Sequence, residues 1–241
     1  MIEFKTIKNL FREDIYQIGV LDKEETWRLG RMKLKLLDAY STSGVIPLDQ
    51  GTEKYWNKIE NSLIIVKYSD VAHDYDIKPK TQNILTAYFK KNIFMIRLDL
   101  KEAAVKAGLG CRGYNNLIWN PKFGFDCKIV AWAFCDEIKG YQKPNLPEYL
   151  PACNTDCLRC HHACPGHAFS GTTLETFRFD MTKCLAVINN DEVRHEVEAR
   201  ASVFSGVSGG LNHCRACQEQ TKCQVTMLRN DPLCMKSFGN Q

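Results

Sequence analysis

CNTDCLRCHHACP, Cys153 to Pro165, places four cysteines within twelve residues and follows the last of them with proline. Thiols at this density are hard to explain by packing. A compact run of anionic sulfurs converging from one turn is what a cluster of iron and sulfide requires. The spacing is Cys153-x3-Cys157-x2-Cys160-x3-Cys164-Pro165, followed later by Cys184 alone and then Cys214-x2-Cys217-x5-Cys223. That makes eight thiols, the number two four-iron clusters need. In two-cluster ferredoxins the fourth cysteine of the compact run serves the other cluster. Applied here, Cys153, Cys157 and Cys160 join Cys223 around one cluster, and Cys164 joins Cys184, Cys214 and Cys217 around the second. Cys234 is a spare candidate for the place of Cys223. Eight thiolates could also make two structural zinc tetrahedra, but zinc sites use separated CxxC pairs, which the compact run fits poorly.

Outward from this run, the cysteines are unevenly spread. None precedes Cys111, and nine of the twelve lie from Cys153 onward. Cys111, Cys127 and Cys135 read as buried core thiols, with a reactive or ligand role as the alternative. His161, His162, His167 and Arg159 flank the cluster run. They either tune its potential or lie on the surface.

The 241 residues suffice for one large domain or two small ones, and the net charge of +4 does not by itself argue for nucleic acid. No apolar run reaches the length of a membrane span. The opening MIEFKTIKNLFRED mixes charges into its apolar residues and carries no twin arginine, so no secretory signal is read there and a cytoplasmic protein is expected. In that reducing compartment the cysteines are expected to be ligands, redox groups or buried thiols, not disulfides.

The proline-bearing YQKPNLPEYLP, Tyr141 to Pro151, reads as a linker. It divides the chain into an α/β domain, 1–148, and a small cluster domain, 149–241. In the first, residues 24–40 carry Leu29, Met32, Leu36 and Tyr40 at helical spacing. SLIIVKY (62–68), NIFMIRL (92–98) and CKIVAWAFC (127–135) read as strands, and residues 81–91 as a helix. Asp99 can cap a helix LKEAAVKA that Gly108 ends. In the second, DMTKCLAVIN and residues 192–204 read as helices, and SGVSGG (205–210) as a loop leading to Cys214.

AGLGCRGYNNLIWNPKFG, Ala107 to Gly124, resembles a segment that epoxyqueuosine reductases and reductive dehalogenases share: AGLG-x-x-G, an aliphatic stretch, a proline and an aromatic–Gly pair. The order also matches: this segment, the strand CKIVAWAFC, a linker, the compact cysteine run, a lone cysteine, then HCRACQ. The resemblance covers Leu98 to about Gln224, roughly half of the chain. It implies an α+β chain: a nitroreductase-like α/β N-terminal domain holding cobalamin, followed by a ferredoxin-like domain with two [4Fe-4S] clusters. It implies a reductase in which the clusters pass single electrons to cobalt, fed by a donor such as a ferredoxin or flavodoxin, with a small molecule as substrate. On the same grounds Asp99 is the candidate proton donor, with an N-cap as its other reading. Tyr114, after the last motif glycine, could donate a proton, line the cofactor site or simply pack. Gly108, Gly110 and Gly113 would admit the cofactor close to the backbone, or serve a tight turn. The span ahead of the AGLG segment looks shorter than in the reductases. The chain also ends soon after the second cysteine group, without the helical-repeat domain of long epoxyqueuosine reductases. With no basic stripe in its place, tRNA is not expected as substrate.

Overall fold

The computed structural model describes residues 1–30, 57–69, 77–89, 93–96, 98–150, 158–171, 176, 178–180 and 183–184. The ligand candidates Cys153, Cys157, Cys214, Cys217 and Cys223, the spare Cys234 and the readings of residues 192–204 and 205–210 lie outside them, as do seven of the ten residues of DMTKCLAVIN. The described residues form a mixed α and β fold in two compact units: residues 1–110 with 126–148, and residues 111–125 with those described from 149 onward.

In the first unit β1 (Ile2–Glu3) and α1 (Phe4–Lys8) precede β2 (Tyr16–Asp22), which runs into helix α2 (residues 23–30). After β3 (Asn61–Tyr68) come α3 (Ile77–Phe89), β4 (Ile93–Met95), α4 (Leu100–Lys106), β7 (Cys127–Phe134) and β8 (Ile138–Lys139). Four of these strands form a sheet in the order β2-β3-β7-β4, every pair antiparallel. A short parallel pairing joins β1 to β8 through Ile2 with Ile138. In β3 the run from Ser62 to Lys67, with the β-branched Ile64, Ile65 and Val66 at its centre, is buried at every position, as a strand with a neighbour on each edge and a helix on each face must be.

The register explains which helix each face takes. Val20, Leu63 and Trp132 line up across three strands, as do Ile18, Ile65 and Val130. These large side chains share one face and pack in a core with Ile77 and Leu85 of α3. There the Trp132 indole N–H donates to Thr81 Oγ1 at 3.0 Å, and Phe89 meets Phe134 edge-on at 5.5 Å. Burying each such large apolar side chain contributes about 1.5–3 kcal/mol. The opposite face carries smaller groups, with Gly19, Ile64 and Ala131 in one row and Leu21, Ser62 and Ala133 in the next. The alanine-rich α4 packs there, with Ala103, Ala104 and Ala107 fully buried. Small residues on both sides let the helix backbone come close. A Cβ at Gly19 would lie 3.1 Å from the Ala107 Cβ and 2.7 Å from the Tyr141 hydroxyl.

The second unit is built of shorter pieces. β5 (Cys111–Arg112) pairs with β6 (Ile118–Trp119), α5 (Arg159–His162) is a single turn, and β9 (Phe169–Ser170) pairs with β10 (Arg178–Phe179). Arg112 bridges to Tyr149, and its carbonyl accepts the Leu150 N–H at 3.0 Å. Residues 111–125, read in sequence with the first domain, thus group with the chain beyond 149. No described helix is long and apolar enough to cross a membrane.

Candidate functional site

The described part of the cysteine loop opens with α5, where the Leu158 carbonyl accepts the amides of His161 and His162 at 3.0 Å each. Pro165, lacking an N–H and fixed in φ, helps to end that turn. Two consecutive amides then fold back on Cys164. The His167 N–H reaches its carbonyl at 3.1 Å, and the Ala168 N–H reaches its Sγ at 3.4 Å. His167 sits at φ 48, the left-handed region that L residues seldom enter. The Ala168 carbonyl in turn accepts the Asp180 N–H at 2.8 Å, tying the loop to the β9–β10 pair. Cys164 is 8% exposed, and Cys160 is half-buried. A backbone amide aimed at a shielded sulfur offers positive charge where a thiolate ligand carries negative charge.

A column of rings backs the loop. His161 stacks on Phe169 at 5.1 Å with 9° between planes, and Phe169 meets Phe179 at 5.3 Å. The Tyr114 ring lies 6.4 Å from that of His161. Burial lowers the His161 pKa, opposed by a hydrogen bond with the Tyr114 backbone. Tyr114, 4% exposed, therefore belongs to the wall of the cysteine loop.

Asp99 belongs to the first unit and acts there as an N-cap. Its Oδ1 accepts the amides of Lys101 at 3.1 Å and Glu102 at 3.2 Å, satisfying two donors that α4 leaves open. At the other end of α4, Gly108 turns the chain at φ 68. A Cβ there would lie 2.6 Å from the Pro144 carbonyl oxygen. One at Gly113 would lie 2.7 Å from Asn115 Oδ1 and 3.1 Å from Phe125 Cζ. Gly110 is buried as well. At Gly108 and Gly113 the space a side chain would take is filled by the chain's own atoms. Both positions therefore exclude a side chain for reasons internal to the fold.

The stretch read as a linker is fastened to this corner. Tyr141 donates its hydroxyl hydrogen to the Ala107 carbonyl, and burial pushes its own pKa up to about 12. Proline-rich composition signalled a lack of regular structure, but gave no sign of this attachment.

No disulfide joins any of the six described cysteines. Burial pushes Cys111 up to about 11 and Cys127 up to about 12, and also raises Cys135, so burial favours the neutral thiol at all three. Cys111 is fully buried, whereas Cys127 and Cys135 are only partly so. Among the described residues no three His, Cys, Asp or Glu side chains gather as a metal site. Of the eight candidate ligands, Cys160, Cys164 and Cys184 are described. The loop's amide donor is a backbone group that no side-chain motif could have revealed.

No family model matches the chain, and no curated protein does. Solved structures do. An epoxyqueuosine reductase from Streptococcus thermophilus aligns with a TM-score of 0.53 at 15% identity, over 89% of this chain and 63% of that one. The enzyme from Bacillus subtilis, solved with its catalytic aspartate loop swung out of the active site, aligns at 0.56 and 15% identity, over 95% and 68%. An epoxyqueuosine reductase solved with an epoxyqueuosine-modified tRNA stem loop aligns at 0.56 and 17%, over 92% and 64%. The chain thus spans 63 to 68% of the length of these structures. The likeness is one of fold.

Proposed function

We propose that this protein is an iron–sulfur oxidoreductase of the epoxyqueuosine reductase fold that moves single electrons through two [4Fe-4S] clusters. One observation carries the reading: the last cysteine of the compact run is shielded from water and receives a backbone amide at its sulfur. The donor set is chemically right, since eight thiols match two four-iron clusters. Cys153, Cys157, Cys160 and Cys223 hold one, and Cys164, Cys184, Cys214 and Cys217 the other, within a ferredoxin-like second domain. Bound clusters supply one-electron transfer; the protein supplies ligands, orientation and exclusion of water. Pro165 and the His167 turn fix the Cys164 sulfur, and the Tyr114, His161 and Phe169 rings wall the loop. Electrons enter from a cytoplasmic donor such as a ferredoxin or flavodoxin, and the acceptor is a small molecule.

Anaerobic purification with a metal inventory tests this. About eight irons and eight sulfides per chain are expected for two such clusters. About two zincs without sulfide would indicate the structural alternative and end the proposal.

A second reading, favoured by the likeness of fold, adds a corrinoid held by a nitroreductase-like first domain, with Asp99 as proton donor. The packing around Gly108 and Gly113 already accounts for both glycines, so neither by itself argues for its cradle, and no step is routed through cobalt. Corrinoid uptake under reducing conditions separates the two readings, and a tRNA stem loop offered beside small acceptors tests the substrate class. If corrinoid binds, Asp99→Asn preserves the cap, because Asn caps as well as Asp. It should stop turnover while leaving cluster content intact; unchanged turnover removes Asp99 from the chemistry.

A further inference from the structure

We infer that the backbone amide of Ala168 sets the reduction potential of the cluster that Cys164 ligates. The inference rests on the iron–sulfur reading and adds to it a specific group with a direction of effect. Consecutive amides, those of His167 and Ala168, converge on one cysteine, the first on its carbonyl at 3.1 Å and the second on its sulfur at 3.4 Å. The arrangement requires His167 at φ 48, a conformation that costs energy for a residue with a side chain. The Asp180 amide, just past the end of β10, donates to the Ala168 carbonyl at 2.8 Å, so the residue is anchored on its far side as well. Ala168 is 1% exposed and Cys164 8%, which leaves little room for water to take over the bond if the amide is lost.

Reduction adds one negative charge to the cluster and its sulfurs. An N–H dipole aimed at a ligand sulfur stabilises the reduced form more than the oxidised one, and so raises the potential. Shielding from water strengthens the effect. The Ala168 side chain is a methyl group and takes no part. The consequence is a sharp distinction between two substitutions: Ala168→Gly keeps the amide, and Ala168→Pro removes it.

The test uses the whole chain, purified with its clusters and titrated anaerobically with dithionite as the one-electron reductant. Ala168→Gly should titrate as wild type. Ala168→Pro should be harder to reduce, with the equilibrium constant for taking up one electron falling roughly tenfold, the scale of one net hydrogen bond. An Ala168→Pro protein with full iron and sulfide but an unchanged potential overturns the inference. Because proline can also disturb the turn, a second measurement decides independently of it. Wild-type protein labelled with [15N]alanine should show a 15N coupling to the reduced, paramagnetic cluster in electron spin echo modulation. Ala168→Gly protein grown with the same label should lose that coupling. Absence of the coupling in wild type overturns the inference as well. Failure of the underlying reading looks different, since wild-type protein would then hold no iron or sulfide at all.

Discussion

In the first unit, Leu63, Ile64, Ile65 and Val66 are all fully buried along one strand, between helices that the sheet's large and small faces select. In the second, the described strands are two residues long and the one described helix has four. The sheet holds itself together by apolar burial over a long register. The cysteine loop is fixed instead by individual backbone hydrogen bonds that end on Cys164 and Ala168, with one short column of rings behind it. A region of the first kind can stand on its own core. The described part of the second unit lacks such a register, and on the proposed reading metal ligation supplies a further tie.

On the proposed iron–sulfur reading, removing the metal is the strongest way to break that contrast. Stripping iron with a chelator should abolish amide protection across residues 158–180 and leave 61–68 and 127–134 protected, as read by hydrogen exchange and mass spectrometry. Equal loss in both regions would show that the sheet is not self-sufficient. The converse experiment weakens the sheet. Phe134→Ala, at a fully buried position, should cost about 3–5 kcal/mol in urea unfolding, with cluster content per folded chain unchanged.

A third prediction concerns Cys111, whose ordinary thiol value near 9 is pushed up to about 11. A raised folded-state pKa favours the neutral thiol. Its contribution to stability is therefore full below about 9 and is lost as pH climbs to about 11. At pH 8 the thiolate fraction falls about a hundredfold, so iodoacetamide should modify Cys111 about a hundred times more slowly in the folded protein than after unfolding. Peptide mapping reads this directly, and equal rates would place Cys111 outside a core. The smallest effects compare two left-handed glycines, one in each unit. Gly108→Ala meets the Pro144 carbonyl, whereas Gly124→Ala, at φ 64, meets nothing within 4 Å. Backbone strain alone costs about 1–2 kcal/mol, so Gly124→Ala should lose about that much in thermal unfolding and Gly108→Ala clearly more.

Much of the sheet unit was legible in the sequence because its elements are long enough to show a period. SLIIVKY and CKIVAWAFC lie within or around β3 and β7, and Asp99 caps and Gly108 ends the helix between them. The edge strand Tyr16–Asp22 was not read, because Gly19 and Gln17 interrupt its apolar pattern. Gly19 is there to admit Tyr141 and Ala107, a reason that exists only in three dimensions. The two-residue strands are too short to carry any period, so the pairing of Cys111–Arg112 with Ile118–Trp119 left no trace in the sequence. Cys164 stands out in the sequence as a candidate ligand by its spacing, but the donor at its sulfur does not, since every residue carries the same amide.

The parallel pairing of Ile2 with Ile138 bears on the order in which the protein is made. Synthesis runs from the N-terminus, so β1 must wait for the ribosome to release β8 before it finds its partner. By then every strand of the sheet has emerged, while the first cysteine of the compact run, Cys153, is still to come. The sheet of the first unit can therefore close before the cysteine run that starts at Cys153 has left the ribosome. On the proposed iron–sulfur reading, cluster loading is then a later event than the closing of that sheet.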